Sequence, residues 1–398
     1  MTRLDETKKV SERVFFPTYN RFSVAMVRGE GAYLYDTEGK RYLDFLSGIG
    51  VAILGHAHPD IAAAVCDQAE KLLHVSNLYF IPPQTELAER LVEHTSLDRV
   101  FFCNSGAEAN EAAIKLARKY AKDTYGEGKY GIITLQDSFH GRTIATISAT
   151  GQVKVKEGFA PLVEGFAHVP AGNFEALKQA VTDQTCGVML EPILGEGGAV
   201  VLSDAYMRKV RQLCTEQDIL LIVDEIQVGM GRTGKLFAHQ WSGIEPDIMT
   251  LAKALGGGLP LGAMLAKEKY AGTLSAGSHG STFGGNPVAC RAGQVVMDYL
   301  CRENSLTHVV EMGKLIRGHL QQMKSRFKFI EEIRGRGLIV GIKLSLPCKE
   351  IVNRALERGL LINCTQESVV RMLPPLIISE KEVEEMIDIL TEVFGEVK

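Results

Sequence analysis

The sequence lacks the features of several classes of protein. No apolar run approaches the roughly 18 residues that a membrane-spanning helix needs. The 44 Lys and Arg residues do not outnumber the 48 Asp and Glu residues, so the net charge of −4 offers no basic field for nucleic acid or an anionic membrane. The N-terminal residues 1–13 have no hydrophobic segment and mix both signs of charge, unlike a secretory signal or a transit peptide. We therefore expect a cytoplasmic protein without a nucleic-acid or membrane partner.

Paired cysteines and clustered metal ligands are also missing. The eight cysteines are widely scattered, and none forms a C-x-x-C pair. We expect them to be reduced residues of the core of a cytosolic protein, not disulfides or metal ligands. His56 and His58 have no cysteine or carboxylate neighbours at ligand spacing. The sequence therefore predicts no metal site.

The length of 398 residues permits two or three domains. Strands alternate with helical patterns from residue 126 to about 225, which predicts a mostly parallel sheet with helices on both faces. From about residue 290 the strands are fewer and the helices longer, which indicates a smaller α+β domain. We predict an N-terminal segment (1–55) that packs with the small domain, a large domain (56–287) and a small C-terminal domain (288–398).

Two apolar runs end in residues that carry chemistry. The run 219–223 is followed by Asp224, and the run 248–252 is followed by Lys253 and a glycine-rich turn. Five consecutive aliphatic residues between polar ones are typical of a strand buried on both faces, as in parallel sheets. Open α/β sheets bind ligands at the carboxyl ends of their strands. We therefore predict that Asp224 and Lys253 lie together at one edge of the sheet.

Each of these two residues alone has an ordinary interpretation, Asp224 as a turn cap and Lys253 as a surface amine. Together they fit one cofactor. Pyridoxal phosphate is held by a lysine at its aldehyde carbon and by a carboxylate at its pyridinium nitrogen. A crowded, partly dry place between a buried strand and a run of glycines lowers the pKa of a lysine and leaves its amine nucleophilic.

A phosphate site is predicted where the strand at 100–103 leads into a helix. Ser105 with Glu108 forms a capping-box pattern, and Gly106 leaves backbone amides uncovered at the positive end of that helix. An ordinary capped helix remains the alternative for this segment taken alone. Two literal G-x-G-x-x-G matches, at 126–131 and 229–234, lack the strand–turn–helix context of a dinucleotide site.

Five segments, in this order and spacing, resemble the class III (ω-amino) pyridoxal-phosphate aminotransferases of fold type I. They are Asn104–Asn110, Phe139–Arg142, Glu191–Gly198, Asp224–Gln227 and Ala252–Gly258. Four others are most similar to the family members that use N2-acetylornithine as amino donor: Thr18–Arg21, His74–Asn77, Val228–Gly234 and Gly277–Pro287. The resemblance covers nearly the whole chain.

The resemblance implies roles for individual residues. Lys253 would bind the cofactor covalently and move a proton, and Asp224 would keep the ring nitrogen protonated. The implied cofactor-binding residues are Ser105, Gly106, Ala107, Phe139, Asp224, Glu225, Ile226, Gln227, Lys253 and Thr282. Among these, Phe139 and Ile226 would cover the two ring faces, and Gln227 would face the phenolic oxygen. Thr282 would reach the phosphate of the partner subunit, which implies a homodimer with shared active sites.

The implied substrates are a small-molecule amino donor and 2-oxoglutarate, and the implied substrate-binding residues are Arg142, Ser281, Arg371, Glu196, Tyr19 and Asn77. Arg371 would bind the α-carboxylate of glutamate and 2-oxoglutarate, and Arg142 their distal carboxylate or the α-carboxylate of an ω-amino donor. Arginine forks suit carboxylates. We hypothesise that Glu196 masks Arg371 while the ω-amine reacts.

The residues leave several activities open. N2-acetylornithine is the leading donor, and ornithine, succinylornithine and 4-aminobutyrate are alternatives that use the same catalytic residues. A racemase or aminomutase of the same fold would use Lys253 and Asp224 without a keto-acid co-substrate. A non-catalytic binding protein on this scaffold is a third alternative, which the joint presence of Lys253, Asp224, Arg142 and Arg371 disfavours.

Overall fold

The structure is a computed structural model that describes residues 2–397. Its α-helices are α1 (Arg3–Val14), α2 (Ser47–Gly50), α3 (Pro59–Lys71), α4 (Pro82–Glu93), α5 (Gly106–Tyr125), α6 (Ile144–Ala149), α7 (Phe174–Ala180), α8 (Asp204–Glu216), α9 (Pro287–Leu300), α10 (Ser305–Arg326), α11 (Lys349–Glu357) and α12 (Glu380–Gly395). Within this described part of the chain, none of the helices has both the length and the apolar character that a membrane crossing requires.

The strands follow the same chain order. They are β1 (Met26–Glu30), β2 (Tyr33–Asp36), β3 (Arg41–Asp44), β4 (Arg99–Cys103), β5 (Gly131–Leu135), β6 (Phe166–Val169), β7 (Thr185–Leu190), β8 (Ile193–Leu194), β9 (Val200–Val201), β10 (Leu220–Asp224), β11 (Ile248–Leu251), β12 (Gly262–Ala266), β13 (Ile330–Arg336), β14 (Ile339–Leu344), β15 (Leu360–Leu361), β16 (Asn363–Thr365) and β17 (Val369–Met372).

A seven-stranded sheet in the order β4-β12-β11-β10-β7-β5-β6 forms the centre of the large α/β part. The neighbours β11, β10, β7, β5 and β6 pair in parallel, and β12 is antiparallel to both β11 and β4. The predicted mostly parallel sheet is therefore confirmed. The strand β12 follows a glycine-rich turn after Lys253. This turn reverses the direction of the chain, so β12 pairs antiparallel to β11 without the helical crossover that a parallel strand needs.

Strand β10 shows why the sheet is covered on both faces. Leu221 and Val223 pack into a cluster with Val210 of α8, whereas Leu220 and Ile222 pack on the other side with residues of α5. Side chains of successive strand residues point to opposite faces. A continuous aliphatic run therefore needs a helix on each side, as the sequence pattern predicts.

The C-terminal part is built on a second, antiparallel sheet in the order β13-β14-β17-β16. Helices α10 and α12 pack together beside it, and α10 also packs on β13. Strands β2 and β3 form an antiparallel hairpin, and β3 pairs in parallel with β15. Strands of the N-terminal segment thus share a sheet with a strand of the C-terminal part, while the predicted domain boundaries stay predictions.

The expectation that all cysteines are reduced core residues is wrong. Cys348, just before α11, and Cys364, on β16, form a disulfide with Cα atoms 5.8 Å apart. Cys66 and Cys301 are exposed, and the other four cysteines are buried. The short helix α11 and the turn after it bring the chain back on itself over 16 residues, a return that cysteine spacing alone does not reveal.

Candidate active site

Asp224 and Lys253 lie together at the carboxyl edge of the central sheet. Strands β10 and β11 are parallel, and Asp224 stands opposite Thr250, three residues before Lys253. Both line a cavity of about 460 Å³. Lys253 has a positive φ of 46°, an uncommon backbone conformation for a residue with a side chain. Such local strain persists where the surrounding structure holds it and is concentrated at functional sites.

The carboxylate of Asp224 is held by three donors. Its Oδ2 accepts hydrogen bonds from Asn110 Nδ2 at 2.8 Å and from His140 Nδ1 at 2.8 Å, and its Oδ1 accepts one from the backbone N–H of Ile226 at 3.0 Å. Burial alone would lower the pKa of His140, but its hydrogen bond to Asp224 raises that pKa above its usual value. The network thus fixes the carboxylate of Asp224 in one orientation.

The start of α5 presents free backbone amides to the cavity. Ser105 caps the helix by accepting from the backbone N–H of Glu108 at 3.2 Å, and Ser105, Gly106 and Ala107 all line the cavity. A Cβ on Gly106 would lie 2.8 Å from Ile226 Cδ1 and 2.9 Å from Ile226 Cγ2, so a larger residue there would have to displace the Ile226 side chain. The predicted capping box is half formed, because the carboxylate of Glu108 accepts from the backbone N–H of Asn104 instead, at 2.8 Å.

Phe139 and Ile226 both line the cavity, where they can cover a flat ring. The loop that carries Phe139 is fixed by Glu191, whose Oε2 accepts from the backbone N–H of Phe139 at 3.0 Å. Burial raises the pKa of Glu191 to about 7. Glu191 also lines the cavity and is not among the predicted site residues, although its place directly after β7 is a signal of the kind that identified Asp224.

Glu196, Gln227 and Arg371 form one hydrogen-bonded group. Arg371 is completely buried, and its Nη1 donates to Glu196 Oε1 at 2.6 Å and to Gln227 Oε1 at 3.2 Å. Gln227 Nε2 also lies 3.4 Å from Glu196 Oε1. Burial would raise the pKa of Glu196, but the charge of Arg371 holds it below its ordinary value. Glu196 therefore neutralises Arg371 in this arrangement.

Of two further predicted residues, Arg142 lines the cavity and Glu225 does not. Arg142 lines its exposed rim, and its guanidinium carbon lies 5.5 Å from the centroid of the Phe139 ring. Glu225 does not line the cavity, and its contact with the cofactor stays a prediction. Its buried carboxylate accepts from the backbone N–H groups of Ala238 at 2.8 Å and His239 at 2.7 Å. Asp224 and Glu225 are neighbours whose side chains point in different directions.

Arg371 does not itself line the cavity and reaches it through Glu196 and Gln227. Four further predicted residues lie outside the cavity: Thr282, Ser281, Asn77 and Tyr19. Asn77 Nδ2 donates to the carbonyl of Ser281 at 3.1 Å, which joins two of them. Ser281 Oγ accepts from Asn104 Nδ2 at 3.2 Å, beside the start of α5. Thr282 and Tyr19 are exposed to solvent. Within one chain, these residues do not reach the group around Lys253.

The pKa of Lys253 supplies a test on the protein freed of its cofactor. Burial lowers the pKa of this amine to about 8, from an ordinary value of 10.5. Only the neutral amine attacks an aldehyde, so we expect the rate of covalent pyridoxal phosphate attachment to rise with pH around a midpoint near 8. Stopped-flow absorbance after mixing measures this rate, and a midpoint near 10.5 would contradict the assignment.

The same shift affects stability. Between pH 8 and 10.5 the unfolded chain carries more protons on this group than the folded chain. The contribution of Lys253 to the free energy of unfolding therefore rises with pH across that window.

Comparison with known proteins agrees with this geometry. A family model described as aminotransferase class-III matches residues 15–394. The chain is 49% identical over 380 residues to the acetylornithine aminotransferase of Methanocaldococcus jannaschii, with 96% of each chain covered. It is 53% identical over 380 residues to that of Gloeobacter violaceus, with 95% of each covered.

Solved structures give the same picture. The ornithine aminotransferase of Toxoplasma gondii is similar with a TM-score of 0.95 and 31% identity, over 99% of this chain and 96% of that one. The N-acetylornithine aminotransferase of Stenotrophomonas maltophilia has a TM-score of 0.84 and 37% identity, over 97% of this chain and 98% of that one. The chain belongs to the class III aminotransferases and is a pyridoxal-phosphate-dependent enzyme of fold type I.

Proposed function

We propose that this enzyme transfers the δ-amino group of N2-acetylornithine to 2-oxoglutarate, giving N-acetylglutamate 5-semialdehyde and glutamate. The observation that carries the proposal is the buried Arg371 neutralised at 2.6 Å by Glu196, which lines the same cavity as Lys253 and Asp224. One site that accepts both an ω-amine and an α-amino acid needs an arginine that is masked for the first and free for the second. The relatives named acetylornithine aminotransferase, at about half identical residues, support this donor.

The residues of the cavity fit the cofactor. When bound, pyridoxal phosphate supplies an aldehyde carbon that accepts the amino group and a ring that accommodates the electron pair of a broken C–H bond. Lys253 would hold the cofactor through its amine, and the same amine would remove and return the proton at the reacting carbon of the substrate. Asp224 keeps a proton on the ring nitrogen through its negative charge. The backbone amides of Gly106 and Ala107, with Ser105, bind the phosphate at the start of α5.

The remaining cavity residues orient the ring and the substrates. Phe139 and Ile226 would cover the two faces of the ring, and Gln227 would face its phenolic oxygen. Arg142, at the exposed rim, binds the α-carboxylate of N2-acetylornithine in the first half-reaction and the distal carboxylate of 2-oxoglutarate in the second. Arg371 binds the α-carboxylate of 2-oxoglutarate and glutamate once Glu196 moves away.

The choice of donor is tested by initial rates of the purified enzyme with 2-oxoglutarate and four donors. We expect kcat/KM to be highest with N2-acetylornithine, and lower with ornithine, succinylornithine and 4-aminobutyrate. Equal or greater efficiency with ornithine would overturn the proposed donor. Turnover of any donor without a keto acid would instead indicate a racemase or aminomutase.

We further propose a homodimer in which Thr282 reaches the cofactor phosphate of the partner subunit. Thr282 is exposed and lies outside the cavity of its own chain. Next to it Phe283 is exposed, and its ring centroid lies 5.2 Å from that of His74. The segment after His74 leaves Leu78, Tyr79 and Phe80 exposed as well. Such a group of apolar side chains is typical of a surface that another chain covers.

Mixed dimers test this sharing of sites. Lys253→Ala and Thr282→Asp subunits are each expected to be inactive alone, the second because a carboxylate repels the phosphate. In a hybrid, one site combines an intact Lys253 with an intact Thr282 from the other chain. Equal mixing after dissociation and reassembly should therefore restore about a quarter of the wild-type rate. If Thr282 acts within its own chain, no mixture regains activity.

A further inference from the structure

Arg371 contacts Glu196 through Nη1 and contacts Asn363, which is not among the predicted site residues, through Nε. Strands β16 and β17 are antiparallel, and Asn363 stands directly opposite Arg371 in their register. Directly opposite residues point their side chains to the same face of a sheet. Asn363 Oδ1 accepts a hydrogen bond from Arg371 Nε at 3.2 Å. The disulfide of the next residue, Cys364, ties β16 to the start of α11.

The other neighbour of Arg371 is a glycine. Gly341 on β14 stands opposite Arg371, and a Cβ there would lie 3.1 Å from the carbonyl oxygen of Gly198 and 3.0 Å from Ala199 Cβ. The loop that carries Glu196 therefore lies directly over this face of the sheet. Gln366, in the turn after β16, donates to the carbonyl of Glu196 at 3.3 Å.

Two nitrogens of the Arg371 guanidinium, Nη1 and Nε, thus have different hydrogen-bond partners. Its Nη1 meets the carboxylate of Glu196 and the amide of Gln227, and its Nε meets the amide of Asn363. A substrate carboxylate competes with Glu196 for Nη1. Asn363 lies on a strand of the sheet and not on the loop of Glu196, so a movement of that loop need not break its contact with Arg371.

We propose that Asn363 is a positioning residue that keeps the guanidinium of Arg371 aimed at the substrate when Glu196 leaves, and that its neutrality makes the release of Arg371 to the keto acid possible. The inference rests on the proposed function, since it concerns the half-reaction with 2-oxoglutarate. Asn363 would thereby help the enzyme to bind 2-oxoglutarate and glutamate, which react next to the α-carboxylate, as well as N2-acetylornithine, which reacts at its distal amine.

The chemistry of the amide explains why an asparagine suits this place. The amide oxygen of Asn363 accepts a hydrogen bond from Arg371 Nε. This contact fixes the rotamer of the arginine without cancelling its positive charge. An aspartate of the same shape would form a second, charge-assisted contact and would remain when Glu196 moves. Arg371 would then stay neutralised in both half-reactions. Alanine would leave the charge but remove the anchor at Nε.

The test uses the holoenzyme and its Asn363→Asp and Asn363→Ala variants. The matched control is Thr365→Val, on the same strand, because the buried Oγ1 of Thr365 has no hydrogen-bond partner among the described residues. Each half-reaction is measured separately by single-turnover absorbance. The affinity for glutarate, a dicarboxylate that cannot react, is measured by titration calorimetry, and a thermal melt confirms that each variant is folded.

We expect Asn363→Asp to weaken glutarate binding and to raise the half-saturation concentration of 2-oxoglutarate by at least about 10-fold. Asn363→Ala should also weaken glutarate binding and raise the half-saturation concentration of 2-oxoglutarate, by about 3- to 10-fold. Neither variant should change the half-saturation concentration of N2-acetylornithine by more than about 2-fold, and Thr365→Val should match the wild type. A folded Asn363→Asp variant with wild-type affinity for glutarate, or with both half-reactions slowed equally, would overturn the inference.

The two proposals fail in different ways. If the proposed donor is wrong, the wild-type enzyme does not turn over N2-acetylornithine, whereas the glutarate titrations of the variants are unaffected. If the role of Asn363 is wrong, the wild type uses N2-acetylornithine and the variants bind glutarate as the wild type does.

Discussion

We expect the replacement of Lys253 by methionine to lower kcat by about 10⁴-fold. Methionine fills nearly the same space but provides no amine to hold the cofactor or to carry a proton between carbon atoms. The cavity and the charge of Asp224 should be unchanged, so the variant should still bind pyridoxal phosphate without a covalent bond. Steady-state rates with saturating cofactor, together with the visible spectrum of the variant, measure both effects.

Lys267→Met is the matched control for this substitution. Lys267 lies outside the cavity and has a contact of 3.4 Å with Glu245. Its replacement removes an amine of the same kind without touching the site, and kcat should stay at the wild-type value. A Lys253→Met enzyme that kept more than about a tenth of the wild-type kcat would show that another group moves the proton.

The second large effect is expected from Glu196→Ala. The variant leaves the buried guanidinium of Arg371 without a carboxylate, so the α-carboxylate of glutamate becomes its best partner. We expect the ratio of kcat/KM for N2-acetylornithine to that for glutamate to fall by about 10- to 100-fold, since hydrogen bonds to charged groups contribute about 1.5–3 kcal/mol. The two half-reactions, followed separately by absorbance, give this ratio directly.

Two further variants show that the effect is caused by the lost charge. Glu196→Gln keeps a hydrogen-bond acceptor for Arg371 but no charge, and it should shift the ratio in the same direction. Glu332→Ala removes a carboxylate that contacts Arg334 at 2.6 Å on the same small sheet, away from the cavity, and it should leave the ratio unchanged. An unchanged preference in Glu196→Ala would refute the masking of Arg371.

The central pair of the site was predictable because local pattern and topology agree there. The aliphatic run before Asp224 is buried on both faces in β10, and the run before Lys253 forms β11. Parallel pairing of the two strands brings both residues to one edge. The start of α5 was predictable for the same reason, since its cap and its glycine are consecutive in the sequence. The predicted family and fold are confirmed.

Contacts between distant segments were not predictable from pattern. His140 and Asn110 meet Asp224 through the packing of α5 and the loop after β5 against β10, which no spacing in the sequence encodes. Asn363 faces Arg371 only through the register of two short strands. Glu225 follows Asp224 directly, but the chain leaves the strand at this point, so alternation no longer tells which way its side chain points.

Some expectations stay predictions. They are the cytoplasmic location, the domain boundaries and the residue roles at the substrate mouth. The position of Thr282 is one such case. In the proposed homodimer Thr282 completes the site of the partner subunit, which would account for its position outside the cavity of its own chain.

A single-turnover experiment tests the central claim most directly. The holoenzyme is mixed with N2-acetylornithine in the absence of any keto acid, and the visible absorbance of the cofactor is followed together with the product. We predict complete loss of the original absorbance band and one equivalent of N-acetylglutamate 5-semialdehyde per site, followed by recovery of the band and formation of one equivalent of glutamate when 2-oxoglutarate is added. An unchanged spectrum, or a spectral change without the semialdehyde, would contradict the claim.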